Sequence, residues 1–222
     1  MGEIKVTAII VAAGDSTRFG QNKNKNLFEI NNKPIIQYSV EIFNNSEKID
    51  DIILVIKEKE KEFFEEILKN VQLNKTLKFV NGGKTRKESV YNALKETDSD
   101  IVLIHDGARP RIRKRYIDEC LEQMNDFKGA TVAVKSKDTV KICDDNGVVI
   151  ETTNRSNTYL IQTPQCFEKE LLKNLHEKFI DDDTITDDCM ILEKSGYKIK
   201  IIEGDYTNIK VTTFEDLHLV EE

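Results

Sequence analysis

The order of its segments constrains this chain more than any other feature. Short apolar runs of strand length stand at 8–11, 52–56, 77–80, 101–105 and 130–134. Between them lie stretches whose apolar residues recur at helical spacing. Ile35, Ile36, Ser39, Val40 and Phe43 follow Pro34, which suits the first turn of a helix. Phe63, Phe64, Ile67 and Leu68 make a second inward-facing stripe, and Ser89, Val90, Ala93 and Leu94 a third; a further helix is expected near 114–126. Strand and helix in alternation predict an α/β fold with a mostly parallel central sheet flanked by helices. Such sheets bind their ligands beyond the carboxyl ends of the strands.

The residues at those ends are therefore the first place to look for chemistry. The run at 8–11 stops in Ala12, Ala13 and Gly14, whose small side chains let a ligand approach the backbone N–H groups. Arg18 and Lys25 follow, a fork and a point charge that suit a polyphosphate, with Lys23 two residues before Lys25. Neither G-x-G-x-x-G nor G-x-x-x-x-G-K-[ST] is present, so the dinucleotide fingerprint and the P-loop are excluded at this position. The run at 77–80 ends in Asn81, Gly82, Gly83, Lys84, Thr85 and Arg86, a second open loop before a helix. The run at 101–105 leads into Asp106, placed for a ribose hydroxyl, a magnesium ion or a helix N-cap.

Elsewhere LFEI at 27–30 reads as a short strand and NNKP at 31–34 as a turn. From 138 to 160 the pattern becomes short alternating strands, TVKIC and VVIETT, around the turn DDNG. This β-arm has too few apolar residues for a core of its own, so packing on a second subunit is expected. QTPQCF at 162–167 returns the chain to the main body, and a helix follows to about Lys178. The segment 185–196 reads as a helix with Thr186 as N-cap and Asp187 and Asp188 as dipole partners in its first turn. A last strand at 197–204 precedes NIKVTTFEDL, which carries Lys210 towards a C-terminal helix.

With 222 residues, 39% apolar and 33% charged, the chain suits one large globular domain over 1–222. A formal charge of -7 argues against a general nucleic-acid grip, so anionic substrates need local cationic clusters such as Arg109, Arg111, Arg113, Lys114 and Arg115. The apolar runs are too short to cross a bilayer, and no leader pattern is visible, so the expectation is no membrane partner and a cytoplasmic location. Cys120, Cys143, Cys166 and Cys189 recur every 23 residues, but their neighbours share no pattern and no C-x-x-C occurs. Reduced thiols are expected rather than a zinc site or disulfides.

The first loop, A-A-G-x-x-x-R-x-G followed by lysine, resembles sugar-nucleotide pyrophosphorylases and related cytidylyltransferases. Taken with GGKTRKESVYNAL, HDGARP, DTVK, NRSNTYLIQTPQCF and NIKVTTFEDL, the chain resembles the 2-C-methyl-D-erythritol 4-phosphate cytidylyltransferases of isoprenoid precursor synthesis. That resemblance implies a single Rossmann-like domain and transfer of CMP from CTP to a polyol phosphate, releasing pyrophosphate. It implies that Ala12, Ala13, Gly14, Gly83 and Ser89 surround the cytosine, that Arg86 supports the second loop, and that Asp106 holds the ribose or metal region. Arg18, Lys25 and Lys210 would contact the triphosphate. Arg109, Thr139, Arg155 and Thr163 match positions that grip the polyol phosphate, with the arm reaching across a homodimer. Magnesium would ride mainly on the CTP phosphates. The chain departs from the family in Asn24 and Asn26 beside the lysine, where Pro and Gln are usual, in Gly107, where Ala is common, and in Arg111, where Phe is common. Ribitol-5-phosphate cytidylyltransferases share much of this pattern and form the alternative reading; a nucleotide-binding regulatory protein without turnover is a second.

Overall fold

The computed structural model describes residues 4–20 and 24–221. Its strands and helices, in chain order, are β1 (Val6–Val11), β2 (Glu29–Ile30), β3 (Lys33–Pro34), α1 (Ile35–Asn44), β4 (Asp51–Ile56), α2 (Lys61–Leu68), β5 (Thr76–Asn81), α3 (Arg86–Leu94) and β6 (Ile101–Asp106). They continue as α4 (Lys114–Gln123), β7 (Gly129–Lys135), β8 (Lys141–Cys143), β9 (Val149–Thr152), β10 (Tyr159–Glu168), α5 (Lys169–Lys178), α6 (Asp188–Lys194), β11 (Ile199–Glu203) and α7 (His218–Glu221).

Seven strands form one sheet in the order β11-β7-β10-β6-β1-β4-β5. Alternation along β1 and β4 explains why it needs cover on both faces. Ala8, Ile10, Ile52, Leu54 and Ile56 pack with Val40 and Phe43 of α1, Phe64 of α2 and Tyr116 of α4. Ile9, Ile53 and Val55 turn the other way, against Val90 of α3, Leu172 of α5 and Ile191 of α6. The result is the expected α/β, Rossmann-like architecture.

Within this seven-stranded sheet all strands run parallel except β10, which is antiparallel to both neighbours. A proline in such a flanked strand removes a ladder donor and is tolerated at a bulge. Here the register on β7 shifts between Ile161 and Gln165, so Gln162, Thr163 and Pro164 stand out of the ladder. Pairing with β6 starts only at Gln165. The bulge therefore lies at the carboxyl end of β6, where it aims side chains at the site.

Within 138–160, β8 and β9 pair antiparallel around a turn whose Gly147 has φ +80°. Four sequence expectations need correction. Of the segment 27–30 only β2, Glu29–Ile30, is extended; Leu27 ends a 3-10 turn at Lys25–Leu27, whose cap Asn24 accepts from Asn26 N. Pro34 precedes α1 as its cap and pairs in β3. Phe63 is 60% exposed, since the buried stripe of α2 is Phe64 and Leu68, one turn apart. Asp187, not Thr186, caps α6 by accepting from Met190 N at 3.0 Å.

Candidate active site

A third, smaller core fixes the polar loops. Phe19, Ile30, Ile35, Ala108, Val211, Leu217 and Val220 pack together beyond the carboxyl edge of the sheet. Three of these adjoin polar residues of interest: Phe19 follows Arg18, Val211 follows Lys210, and Ala108 precedes Arg109. Burying the neighbour is how the fold orients each flexible cation at little further entropic cost. The segment around Lys210 is tied again by Asp216, whose carboxylate accepts from Thr212 N at 2.7 Å and Thr213 N at 2.9 Å.

The first cavity, of about 450 Å³, lies over the ends of β1, β4 and β5. Its floor is the run from Ala12 to Arg18, and Gly83, Arg86, Ser89, Lys25 and Lys210 also line it. Ala12 N donates to Val55 O at 2.8 Å, which holds the turn on the sheet. Small residues are required where the loops meet. A Cβ on Gly82 would lie 2.4 Å from Cβ of Ala13, and one on Gly83 would lie 2.5 Å from Cβ of Glu88. Ser89 Oγ accepts from Gly83 N at 3.0 Å and donates to Thr85 O at 2.9 Å, closing the second loop on α3. Thr85 caps that helix by accepting from Glu88 N at 3.1 Å.

Asn24 braces the lysine-bearing loop. Its Nδ2 donates to Ala12 O and to Glu60 Oε2, both at 2.8 Å, and its Oδ1 accepts from Asn26 N at 3.1 Å. Lys25 N donates to Ser16 Oγ at 3.1 Å. Burial and the nearby Lys210 ammonium push the Lys25 amine down to about 8.

The second cavity, of about 460 Å³, is lined by Arg109, Gln162, Thr163, Gln165, Asp187 and their neighbours. Arg86, Asp106 and Lys210 line both cavities and form the wall between them. Asp106 accepts from Arg86 Nε at 3.2 Å on one oxygen; on the other it meets Lys210 Nζ at 2.8 Å and Arg109 Nε at 3.7 Å. Burial alone would raise its carboxyl, but Arg86, Lys210 and Arg109 outweigh burial and hold it well below the usual range. Asp106 is thus neither a helix cap nor a free acid.

Thr163 has a defined task in the wall. Asp106 N donates to Thr163 Oγ1 at 3.1 Å, and Thr163 Oγ1 lies 2.9 Å from His105 Nδ1. His105 Nε2 is 3.2 Å from Arg109 O, which can only accept, so that nitrogen carries the proton. Burial pushes the imidazole down to about 3, so it is neutral and Nδ1 accepts the Thr163 proton. What Thr163 offers the cavity is an acceptor lone pair.

Thr139 and Arg155 are exposed on the arm and line neither cavity. The other expected residues surround the cavities or their wall. The sequence reading missed Asp188, whose Oδ2 accepts from Arg86 Nη1 at 2.6 Å, and also missed His176, Asn24 and Lys57. Lys57 pairs with Asp15 on the rim of the first cavity. Among the described residues no group of three or more His, Cys, Asp or Glu side chains converges on one point. With Asp15 and Asp106 both engaged by cations, the donors present suit a divalent ion held chiefly by phosphate oxygens.

A family model described as 2-C-methyl-D-erythritol 4-phosphate cytidylyltransferase matches residues 6–222. The protein of that name from Caldanaerobacter subterraneus subsp. tengcongensis is 43% identical over 222 residues, covering 98% of each chain. The one from Clostridium tetani is 45% identical over 220 residues, covering 98% of this chain and 89% of the relative. The crystal structure of 4-diphosphocytidyl-2C-methyl-D-erythritol synthase from Anaerococcus prevotii superposes with a TM-score of 0.88 at 33% identity, covering 98% of this chain and 97% of that one.

Proposed function

The chain belongs to the 2-C-methyl-D-erythritol 4-phosphate cytidylyltransferase family, and from that premise we propose how its two cavities divide the reaction. The protein is a CTP-dependent cytidylyltransferase that transfers CMP to 2-C-methyl-D-erythritol 4-phosphate, giving 4-diphosphocytidyl-2-C-methyl-D-erythritol and pyrophosphate. The observation that carries the division of labour is the shared wall of Arg86, Asp106 and Lys210. CTP occupies the first cavity, with its base against Ala12, Ala13, Gly14, Gly83 and Ser89 and its triphosphate along Arg18, Lys25 and Lys210. Small residues at 12–14 favour a pyrimidine read by backbone groups. The polyol phosphate occupies the second cavity, where Arg109 faces its phosphate side and Thr163 accepts from a hydroxyl.

An oxygen of the polyol phosphate attacks the α-phosphorus of CTP in line. A new P–O bond forms as the bond to the bridging oxygen of the β-phosphate breaks, and that electron pair leaves with pyrophosphate. The nucleophile is already an anion, so no side-chain base is needed. The protein's task is to hold two mutually repelling anions in position and to stabilise charge on the α-phosphate, work suited to fixed lysines. Magnesium, carried on the triphosphate, supplies further charge neutralisation of the leaving group.

The reading extends to assembly. One unit over 1–222 pairs as a homodimer through the arm, so that Thr139 and Arg155 reach the partner's second cavity. Support comes from the exposed apolar side chains of Ile142, Val148, Val149, Ile150, Leu160 and Ile161 in and beside the arm. The proposed setting is the cytoplasm; no helix among the described residues is long and apolar enough to cross a membrane. A pyrophosphate-release assay with CTP and magnesium, offering methylerythritol phosphate and ribitol 5-phosphate side by side, tests the assigned reaction. Turnover with the first is expected. Faster use of ribitol 5-phosphate, or no release with either, would overturn it.

A further inference from the structure

We infer that Asp188 and His176 are positioning residues for the transfer reaction, acting through Arg86 on Asp106 and Lys210. The inference rests on the reading above, in which the reacting phosphate lies at the wall between the cavities.

The guanidinium of Arg86 spans two carboxylates. Nε donates to Asp106 Oδ1 at 3.2 Å, and Nη1 donates to Asp188 Oδ2 at 2.6 Å. The second oxygen of Asp188 accepts from His176 Nε2 at 3.0 Å. Asp188 is 1% exposed and His176 2%. The ring of His176 lies nearly parallel to that of Tyr91, 15° apart in plane with centroids at 6.2 Å. A chain of charged and polar contacts thus runs from the wall into the packing between α3, α5 and α6.

The local explanation for Asp188 is already taken. Asp187 caps α6, so that helix has no need of a second carboxylate in its first turn. Burial alone would raise the Asp188 carboxyl, but Arg86 and His176 hold it below the usual range, so a full negative charge sits in the interior. A buried charge is costly unless it is paired, and its main partner is the arginine at the wall.

Its effect on the wall follows from counting charges. Asp106 faces Arg86, Arg109 and Lys210, three cations on one carboxylate. Asp188 holds Nη1 of Arg86, while Asp106 takes its hydrogen bond from Nε on one oxygen. The remaining oxygen of Asp106 is then free to hold Lys210 at 2.8 Å. Without Asp188 the guanidinium is free to turn fully onto Asp106 and compete with Lys210, shifting the ammonium that faces both cavities. Misplacement of that kind on an ångström scale costs about 10²-fold in rate.

The experiment is a double-mutant cycle read on pyrophosphate release, with KM for both substrates and melting temperature measured for every variant. Wild-type turnover is measured first, so that failure of the assigned reaction is seen separately. Asp188→Asn is expected to lower kcat about ten- to hundred-fold while changing KM for CTP less than about threefold. In an Arg86→Lys background the same change is expected to add less than about threefold, because the group it acts through is gone. His176→Leu is expected to lower kcat in the same direction, with His176→Gln restoring part of it through a side-chain N–H. If Asp188→Asn does not fold, His176→Leu takes its place in the cycle. Independent multiplication of the losses in the double variant, or a lowered melting temperature with kcat unchanged, would overturn the proposal.

Discussion

Lys210 Nζ lies 2.8 Å from Asp106 Oδ2, joining the segment before the C-terminal helix to the end of a central strand. Neither residue has this environment alone. Asp106 is held ionised by its cations, and Lys210 is held over both cavities by a buried carboxylate and by Val211 beneath it. Replacing Lys210 or Lys25 with alanine is expected to lower kcat by roughly 10² to 10³, the usual loss for one transition-state donor. Steady-state pyrophosphate release with unchanged circular dichroism checks it. Lys23→Ala, at a position outside the described residues, is the control and is expected to matter much less.

The Lys25 amine, pushed down to about 8, gives the free enzyme a basic limb. Below that value the side chain is protonated and attracts the triphosphate; above it the charge is lost. Accordingly kcat/KM for CTP is expected to fall as pH rises through about 8, since that ratio reports groups of the free enzyme. Bound triphosphate raises the amine again, so the limb in kcat lies at higher pH. A limb unchanged in Lys25→Arg would assign it to another group.

The Asn24 side chain makes four hydrogen bonds, one each to Ala12 and Glu60 and two from Asn26. Asn24→Ala leaves Ala12 O, Asn26 N and Glu60 short of a partner and is expected to cost about 1–3 kcal/mol of stability. It also loosens Lys25, so kcat is expected to drop about tenfold. Chemical denaturation and turnover measured on the same preparation check both effects.

Arg155 lies exposed on the arm, away from both cavities of its own chain. If it completes the partner's site, Arg155→Ala and Lys25→Ala homodimers are each nearly inactive, yet a mixed dimer has one site with both residues intact. Random mixing makes about half the dimers mixed, with one good site in two, so activity recovers to roughly a quarter of wild type. Absence of recovery despite proven subunit exchange assigns Arg155 to its own chain.

Much of the site was legible because it sits on strand ends. Ala12 to Gly14, Gly82 and Gly83, and Asp106 each follow an apolar run, and small residues where backbones meet leave a sequence signal. The link between Arg86 and Asp188 leaves none, since 102 residues separate them and a carboxylate near a helix start reads equally well as a dipole partner. The direction of β10 was hidden for a related reason. Pro164 argues against a central strand, and only the register shift around it lets the chain continue. Thr163, named from the family motif, does line the second cavity, but its commitment to Asp106 N and His105 depends on that bulge.

The arm leaves β7 and rejoins β10 where Lys135 and Tyr159 stand opposite each other in register. An excursion that starts and ends at one rung can change length at a closure cost that grows only with the logarithm of its span, about 0.6 kcal/mol per doubling. The nucleotide cavity, built on β1, β4, β5 and β6, does not register such a change. Under the proposed assembly the arm would be a detachable module: one graft would alter both what is paired with the nucleotide and which chain serves as partner, so those two traits would be inherited together.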